Sequence, residues 1–317
     1  MPFPGIVFVQ RPDVYLPPPA DPFRTHYIIW WEAWDGTNWS LSDQESGLVL
    51  MRGARGFGRI TQDNHRDEHA SLAGSRYRDF RATNREIFLP IHLFSDGDSD
   101  AWVKHNRAFS RTMRAGTTGW IHIVHPDGEH RKIQARYDKG MEEAYELDPA
   151  FYGWATYGVY LTAEQPYWEA VEPISRSWGT DEPVYFFGGE AVDGPGPPFG
   201  IANMQNISTA TITNPGDAPA SPIWRVYGPT DSASVGVDGR TIGLPFPLLA
   251  GQSVTVDTRP QEQTAIRENG DDVTDQLSSF NFAEIPAGSS VPLDILLTGL
   301  GGRVEVELIP LYEWGIS

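Results

Sequence analysis

The sequence predicts a mainly β protein with one substantial α-helix, and three observations lead to this class. The 317 residues include 32 Gly and 26 Pro, which leaves room for many turns and few long helices. Aromatic residues make up 12% of the chain, and aromatic side chains favour strands and packed interiors. Short apolar stretches separated by turn residues recur throughout, and helical periodicity occurs in one place. An all-helical bundle is therefore excluded.

In the first half, predicted hairpins flank that helix. Residues 27–34 (YIIWWEAW) are typical of a strand, a turn follows at 35–36, and the chain returns at 39–41. The helix begins at Asp98 or Ser99, repeats apolar residues at spacings of three and four up to Met113, and is closed by Gly116. Further strands are predicted at residues 47–50, 85–94, 120–125, 131–137 and 157–162.

The second half contains strand signals only. A connector rich in Pro and Gly is predicted over residues 169–204, with a strand at 184–187 inside it. We expect three parts: a first domain over 1–168, the connector over 169–204, and a β-sandwich over 205–317. Strands of this sandwich are predicted at residues 207–213, 223–227, 234–237, 253–257, 291–297 and 303–308.

Charge separates the two halves. The net charge of −18 excludes binding of nucleic acid through clustered cations. Residues 169–317 carry 6 Arg against 20 acidic side chains, a net charge of −14, with no Lys and no His. There are no cysteines, so disulfides and thiolate chemistry are excluded, and stability is expected from packing or oligomerisation. No stretch is apolar for long enough to predict a membrane span.

Three local patterns suggest chemistry and are better explained by structure. His65–His69 (HRDEH) matches an inverted zinc-protease signature, yet its polar neighbours give no amphipathic helix, so we predict a solvated loop. Residues 96–100 (DGDSD) resemble the start of a calcium loop but lack its later Gly and Glu, which favours a helix cap. His122 and His125 lie on opposite faces of one strand and are predicted at the sheet surface.

Tryptophan is the most unusual feature of the sequence. On the first strand Trp30 and Trp34 share one face and Trp31 lies on the other, so both faces of the strand are apolar. Each face must then be buried, either within the domain or against a neighbouring subunit. Because aromatic residues are enriched in interface cores, we predict an oligomer interface that contains Trp30, Trp31, Trp34 and Trp39. In the second half Trp224 is predicted to be core, and the candidates for stacking on a glycan are Trp178 and Trp314.

Taken in order, the motifs resemble the distal tail protein of long-tailed bacteriophages, also called a minor tail protein. In the first half the resemblance is carried by the WxxWDGxxW hairpin, the loop 53–58, the strand REIFLPIHLF, the helix, the turn 126–128 and QPYW at 165–168. In the second half it is carried by NPGD at 214–217, IWRVYG at 223–228, LAGQSVTVD at 249–257, DDVT at 271–274 and IPAG at 285–288.

This resemblance implies a belt domain with one α-helix, β-sandwich-like, followed by a galectin-like sandwich. It implies a structural virion protein at the tail tip, assembled in the host cytoplasm, whose homohexameric ring joins the tail tube to the hub and the host-recognition apparatus. The implied partners are other copies, the tail tube protein, the tail-tip hub or tail-associated lysin, and a receptor-binding protein. DNA passes through unbound, and no membrane, cofactor, metal or catalytic residue is expected.

Two other functions remain open from the residues alone. A carbohydrate-binding module or adhesin that recognises host cell-surface glycans is the main alternative, because an exposed Trp on a sandwich can stack on sugar. A hydrolase rests on the HRDEH match alone.

Overall fold

The structure of the chain, a computed structural model, covers most of both halves. It describes residues 26–44, 46–68, 73–141, 147–179, 184–187, 199–201, 210–299 and 301–316, with backbone only for 184–187 and 199–201. The prediction of a mainly β fold is confirmed. Predictions on residues 188–198 and 207–209 lie outside the described residues. In the described part, no helix has both the length and the apolar character needed to cross a membrane.

A nine-stranded antiparallel sheet forms most of the first half, and its last strand comes from the C-terminus. The strands are β1 (Ile28–Glu32), β2 (Asn38–Ser40), β3 (Leu48–Leu50), β6 (Arg85–Phe94), β7 (Thr118–Val124), β8 (His130–Gly140), β9 (Trp154–Ala163), β10 (Trp168–Ala170) and β23 (Leu311–Tyr312). The main path is β2-β1-β7-β8-β9-β6-β3, and β10 pairs with β8 and β23. The strand predicted at 85–94 has the predicted bounds.

Strand β6 shows how the sequence builds this sheet. Its residues alternate, so that Ile87, Leu89, Ile91 and Leu93 are fully buried in the first core, and the side chains between them point to the outer face. Each buried aliphatic side chain stabilises the fold by about 1.5–3 kcal/mol. β6 pairs with β9 at ten consecutive positions, which fixes the centre of the sheet.

Helix α1 (Ser99–Thr112) covers the core face of this sheet. Asp98 is its N-cap and accepts a hydrogen bond of 2.9 Å from the backbone N–H of Ala101, which confirms a cap at the DGDSD sequence. Trp102, Phe109 and Met113 are buried in the first core, as their spacing predicts. A second helix of one turn, α2 (Pro149–Tyr152), was not predicted.

The second half forms two five-stranded antiparallel sheets around a separate core. The strands of each sheet are given in their order across the sheet. The first comprises β11 (Ile174–Gly179), β22 (Arg303–Leu308), β15 (Pro222–Tyr227), β18 (Ser253–Asp257) and β19 (Thr264–Arg267). The second comprises β14 (Thr211–Thr213), β21 (Ser290–Thr298), β16 (Ser232–Val237), β17 (Arg240–Leu244) and β20 (Ser279–Phe280).

Side chains from both five-stranded sheets fill one core, which gives the packing of a β-sandwich. A strand β12 (Val184–Phe187) lies where one was predicted and pairs with β13 (Phe199–Ile201). β11 was not predicted; it falls within residues 169–204 and pairs with β22 along six positions. The boundaries of the three predicted parts stay a prediction.

The C-terminal segment returns to the first half of the chain. Strand β23 pairs with β10, and the backbone N–H groups of Gly315 and Ile316 donate to the carbonyl of Phe57. Arg85, which is 2% exposed, donates to four carbonyls, including that of Glu313 at 2.7 Å. Residues 311–316 therefore pack at the edge of the first core.

Candidate functional site

A two-stranded hairpin, which we call the arm, extends the first half of the chain. It consists of β4 (Gln62–Glu68) and β5 (Ser75–Ala82), which pair with each other through seven registered pairs and form a sheet of their own. Among the described residues, no other strand pairs with either arm strand. A seven-residue strand spans about 24 Å. An isolated two-stranded hairpin is at best marginally stable in water, so a partner surface would stabilise the arm.

The side chains of the arm are suited to a contact with another protein. Nearly all are exposed. Tyr77 (55% exposed) is paired with Arg66 and Phe80 (42% exposed) with Asn64, so the bulge in β5 places both aromatic rings on one face of the arm. The two strands contain four Arg and four acidic residues, and Arg78 forms an ion pair with Asp67. Charges along an exposed edge discourage unspecific strand pairing, while the aromatic rings offer contact area to a specific partner.

Four of the five residues of the HRDEH sequence lie in the arm. Residues 65–68 lie in the extended strand β4, and His69 is outside the described residues. A zinc-protease signature needs its two histidines one helical turn apart, and a strand does not provide that spacing. For residues 65–68 the predicted loop conformation is wrong, since they form a strand, and the predicted exposure to solvent is confirmed.

The four tryptophans of the first hairpin divide between the core and the surface. Trp31 and Trp39 are 2% and 7% exposed and lie in the first core. Trp30 is half-buried on the opposite face, and Trp34 is 46% exposed. The predicted placement of Trp30 and Trp31 on opposite faces is confirmed. Trp34 lies in the turn after β1, so strand alternation assigns it no face, and Trp30 and Trp34 are the members with accessible surface. The oligomer interface itself stays a prediction.

Trp34 is held against the C-terminal end of helix α1. Its indole N–H donates to the carbonyl of Arg111 at 3.3 Å, and the guanidinium of Arg114 lies 5.9 Å from its ring centre. These contacts fix an exposed aromatic ring in one orientation. A pre-oriented aromatic ring loses little conformational entropy when a partner covers it.

Beside Trp30, the outer face of the sheet carries a cluster of imidazoles. The Trp30 and His122 rings stack with centres 4.7 Å apart and an angle of 2° between their planes. His122 Nε2 lies 2.9 Å from a carboxylate oxygen of Glu32, and its Nδ1 lies 3.1 Å from His130 Nε2. Burial lowers the pKa of both histidines, although the hydrogen bond to Glu32 opposes this effect at His122.

The prediction that His122 and His125 are surface residues is wrong, because they are 8% and 6% exposed. Trp30 covers His122, and the C-terminal segment covers His125, whose Nε2 lies 2.7 Å from the carbonyl oxygen of Gly315. The spacing of the two histidines in the sequence does not indicate that Trp30 and the C-terminal segment cover them. Their placement on opposite faces of the strand agrees with these separate partners.

One further group of potential metal ligands consists of His125, Asp127 and Glu129. Its atoms already have other partners. Both Glu129 oxygens accept hydrogen bonds from Arg131, and Asp127 accepts one from the backbone N–H of Glu129. We therefore assign this group to the turn between β7 and β8.

The two tryptophans predicted to stack on glycans differ in their surroundings. Trp178 lies on β11 and packs partly buried against the second core, whereas Trp314 is 38% exposed in the C-terminal segment. Trp224 is 1% exposed, so its prediction as a core residue is confirmed. A role in glycan binding stays a prediction for Trp178 and Trp314.

Comparison with solved structures identifies the architecture. SPP1 Dit, described as a paradigm of the hub adsorption apparatus in phages that infect Gram-positive bacteria, matches with a TM-score of 0.62 and 12% identity over 89% of this chain and 98% of its own. The chain has the fold of a phage tail hub protein. A chain of the phage P2 baseplate, activated with calcium, matches with a TM-score of 0.54 and 8% identity over 92% of this chain and 100% of its own.

A baseplate structure with strontium gives a TM-score of 0.53 and 9% identity over 92% of this chain and 100% of its own. No protein-family model and no curated protein matches the sequence. At these identities the likeness concerns the fold. It extends over both the nine-stranded sheet and the sandwich, because each match covers 89–92% of this chain.

Proposed function

We propose that this protein is a structural component of a phage tail tip, where copies of it form a ring between the tail tube and the tail-tip hub. The observation that carries the proposal is the arm, whose strands have no other strand partner among the described residues and whose aromatic residues face solvent. The shared fold with hub and baseplate chains supports the location in the virion.

A ring follows from the asymmetry of the arm contact. An arm that docks on the body of the next copy makes a head-to-tail contact, and such contacts generate rings when the rotation closes. Six copies is the number implied by the resemblance to distal tail proteins. Our candidates for the surface that receives a neighbour are Trp30, on the outer face of the first sheet, and Trp34, beside the C-terminal end of α1.

The remaining partners follow from position and charge. The proposed ring contacts the tail tube protein on one side, and the hub or tail-associated lysin, with a receptor-binding protein, on the other. A net charge of −18 repels DNA phosphates, so DNA passes through without being held. We assign no catalysis to the sandwich, since residues 169–317 contain neither His nor Lys nor Cys for base or nucleophile.

Native mass measurement of the full chain, alone and with its tube partner, tests this proposal. We expect a closed oligomer in at least one condition. The double substitution Tyr77→Ser and Phe80→Ser removes the aromatic contact area of the arm, and we expect it to shift the mass to the monomer. Phe280→Ser is the matched control, because Phe280 is equally exposed (51%) on the sandwich.

Two outcomes would contradict the proposal. One is a monomer under both conditions for the unmodified protein. The other is an oligomer that the arm substitutions leave unchanged while circular dichroism shows that the variants are folded. The control substitution separates loss of the arm contact from a general effect of removing an exposed aromatic ring.

A further inference from the structure

Two histidine rings on the outer face of the first sheet present nitrogens to each other. In the register of β7 and β8, Val124 pairs with His130 and His122 pairs with Lys132, so the two histidines are diagonal neighbours on one face. Their facing atoms, His122 Nδ1 and His130 Nε2, are 3.1 Å apart. Both residues lie on paired strands, which hold the rings in place.

Glu32 determines which nitrogen of His122 carries the proton. An ionised carboxylate only accepts hydrogen bonds, so His122 Nε2, at 2.9 Å from Glu32, must be the N–H donor. The other nitrogen, Nδ1, then has a lone pair that points at His130. A histidine that donates one N–H to a carboxylate and presents the other nitrogen is the usual arrangement of a metal-binding imidazole.

The distance between the two nitrogens suits a tetrahedral cation. Two nitrogens at about 2.0–2.1 Å from zinc and at the tetrahedral angle lie about 3.3–3.4 Å apart. The observed 3.1 Å therefore has to open by a few tenths of an ångström. His130 would take the tautomer with its proton on Nδ1, so the rings exchange one hydrogen bond for two bonds to metal.

The pair can be reached from solvent and is held in place by its neighbours. Glu32 is 39% exposed and His130 is half-buried, which gives access from solvent. Stacking on Trp30 keeps the His122 ring from turning. Glu32 and Glu172 are the acidic neighbours of the pair, and Lys132 is the basic one.

We propose that His122 and His130 form a two-imidazole site for Zn²⁺, oriented by Glu32, with the remaining coordination positions taken by water. Imidazole ligands select Zn²⁺ and its neighbours Cu²⁺ and Ni²⁺ over Ca²⁺ and Mg²⁺, which prefer oxygen. The site binds its cation in a single chain and does not depend on the proposed ring.

The test is a titration of the metal-stripped, tag-free full chain with Zn²⁺ against a competing chromophoric chelator. We expect one ion per chain. His130→Gln should weaken the affinity by at least tenfold, and Glu32→Gln by about 10- to 100-fold, the usual effect of removing a partner that orients a ligand. His65→Gln, an exposed histidine on the arm, is the matched control and should leave the affinity unchanged.

A spectrum of the unmodified chain provides a second measurement that needs no variant. With one equivalent of Cu²⁺, electron paramagnetic resonance should show hyperfine splitting from two nitrogens. The proposal is overturned if no saturable site appears at one ion per chain, if the folded His130→Gln variant keeps the original affinity, or if the copper spectrum lacks the two-nitrogen pattern.

Discussion

Replacing Arg85 by methionine should release the C-terminal segment from the first half of the chain. The guanidinium of Arg85 is the donor that joins three separate stretches of backbone. Its Nε donates to the carbonyl of Pro166 at 2.7 Å, one terminal nitrogen donates to Gly56 and Gly58 at 2.8 and 2.7 Å, and the other donates to Glu313 at 2.7 Å. Burial lowers the pKa of Arg85 to about 10, so it is charged at neutral pH.

The expected loss follows from these four hydrogen bonds. A hydrogen bond to a charged group contributes about 1.5–3 kcal/mol, which sets a ceiling of about 6–12 kcal/mol for four. Removing the charge also removes its desolvation penalty, which amounts to several kcal/mol for a buried ion. We expect a net loss of about 3–5 kcal/mol in the free energy of unfolding, because four carbonyls lose their donor at about 1–3 kcal/mol each and the relieved desolvation penalty offsets part of that cost.

Urea unfolding measures the loss, and hydrogen exchange locates it. Amides of residues 311–316 should exchange faster in Arg85→Met, while those in the sandwich core should not change. Arg59→Met is the control, because Arg59 is 68% exposed and forms an ion pair with the side chain of Glu313, a contact that contributes less than about 1 kcal/mol. A loss below 1 kcal/mol for Arg85→Met, or equal losses for both variants, would refute this account.

Three further predictions concern single side chains of the first half and the C-terminal segment. Trp31→Ala should destabilise the fold by about 3–5 kcal/mol in urea unfolding, whereas Trp34→Ala should cost less than about 1 kcal/mol and lower the native mass. Gly119→Ala would overlap the ring of Trp31 and should cost about 1–3 kcal/mol in the same assay. Burial and a hydrogen bond to a carboxylate raise the pKa of Tyr312 to about 12, so stability should fall between pH 10 and 12, where only the unfolded chain ionises. In urea unfolding at a series of pH values, Tyr312→Phe should reduce this fall in stability, whereas Tyr77→Phe should not.

The strands that the sequence predicts well are those whose own chain buries one face. Residues 85–94 place aliphatic side chains at every second position from Ile87 to Leu93 because a core lies on one side of the sheet, and that spacing can be recognised in the sequence. Helix α1 is predictable for the same reason, with Asp98 as an additional signal for its start.

The arm gives no such signal because its own chain buries neither of its faces. Residues 62–68 and 75–82 are polar on both sides, and Gly74 in the turn with the β-favouring Tyr77 and Phe80 is the trace that remains in the sequence. The return of the C-terminal segment is hidden for a different reason. The returning segment is held by hydrogen bonds from Arg85, which lies more than 220 residues earlier in the chain. The sequence around a single arginine does not indicate which carbonyls accept its hydrogen bonds.

If the arm folds stably only on a neighbouring copy, assembly and arm folding are one equilibrium. A free copy keeps a charged hairpin of low stability, which remains soluble because its edges carry arginine and carboxylate groups. A docked arm buries Tyr77 and Phe80 and gains pairing partners together, so each contact in a closed ring stabilises both the arm and the interface. Hydrogen exchange of residues 62–82 should therefore be fast in a monomer and slow in the ring. Equal exchange in the two states would show that the arm is folded without a neighbour and that ring formation depends on another surface.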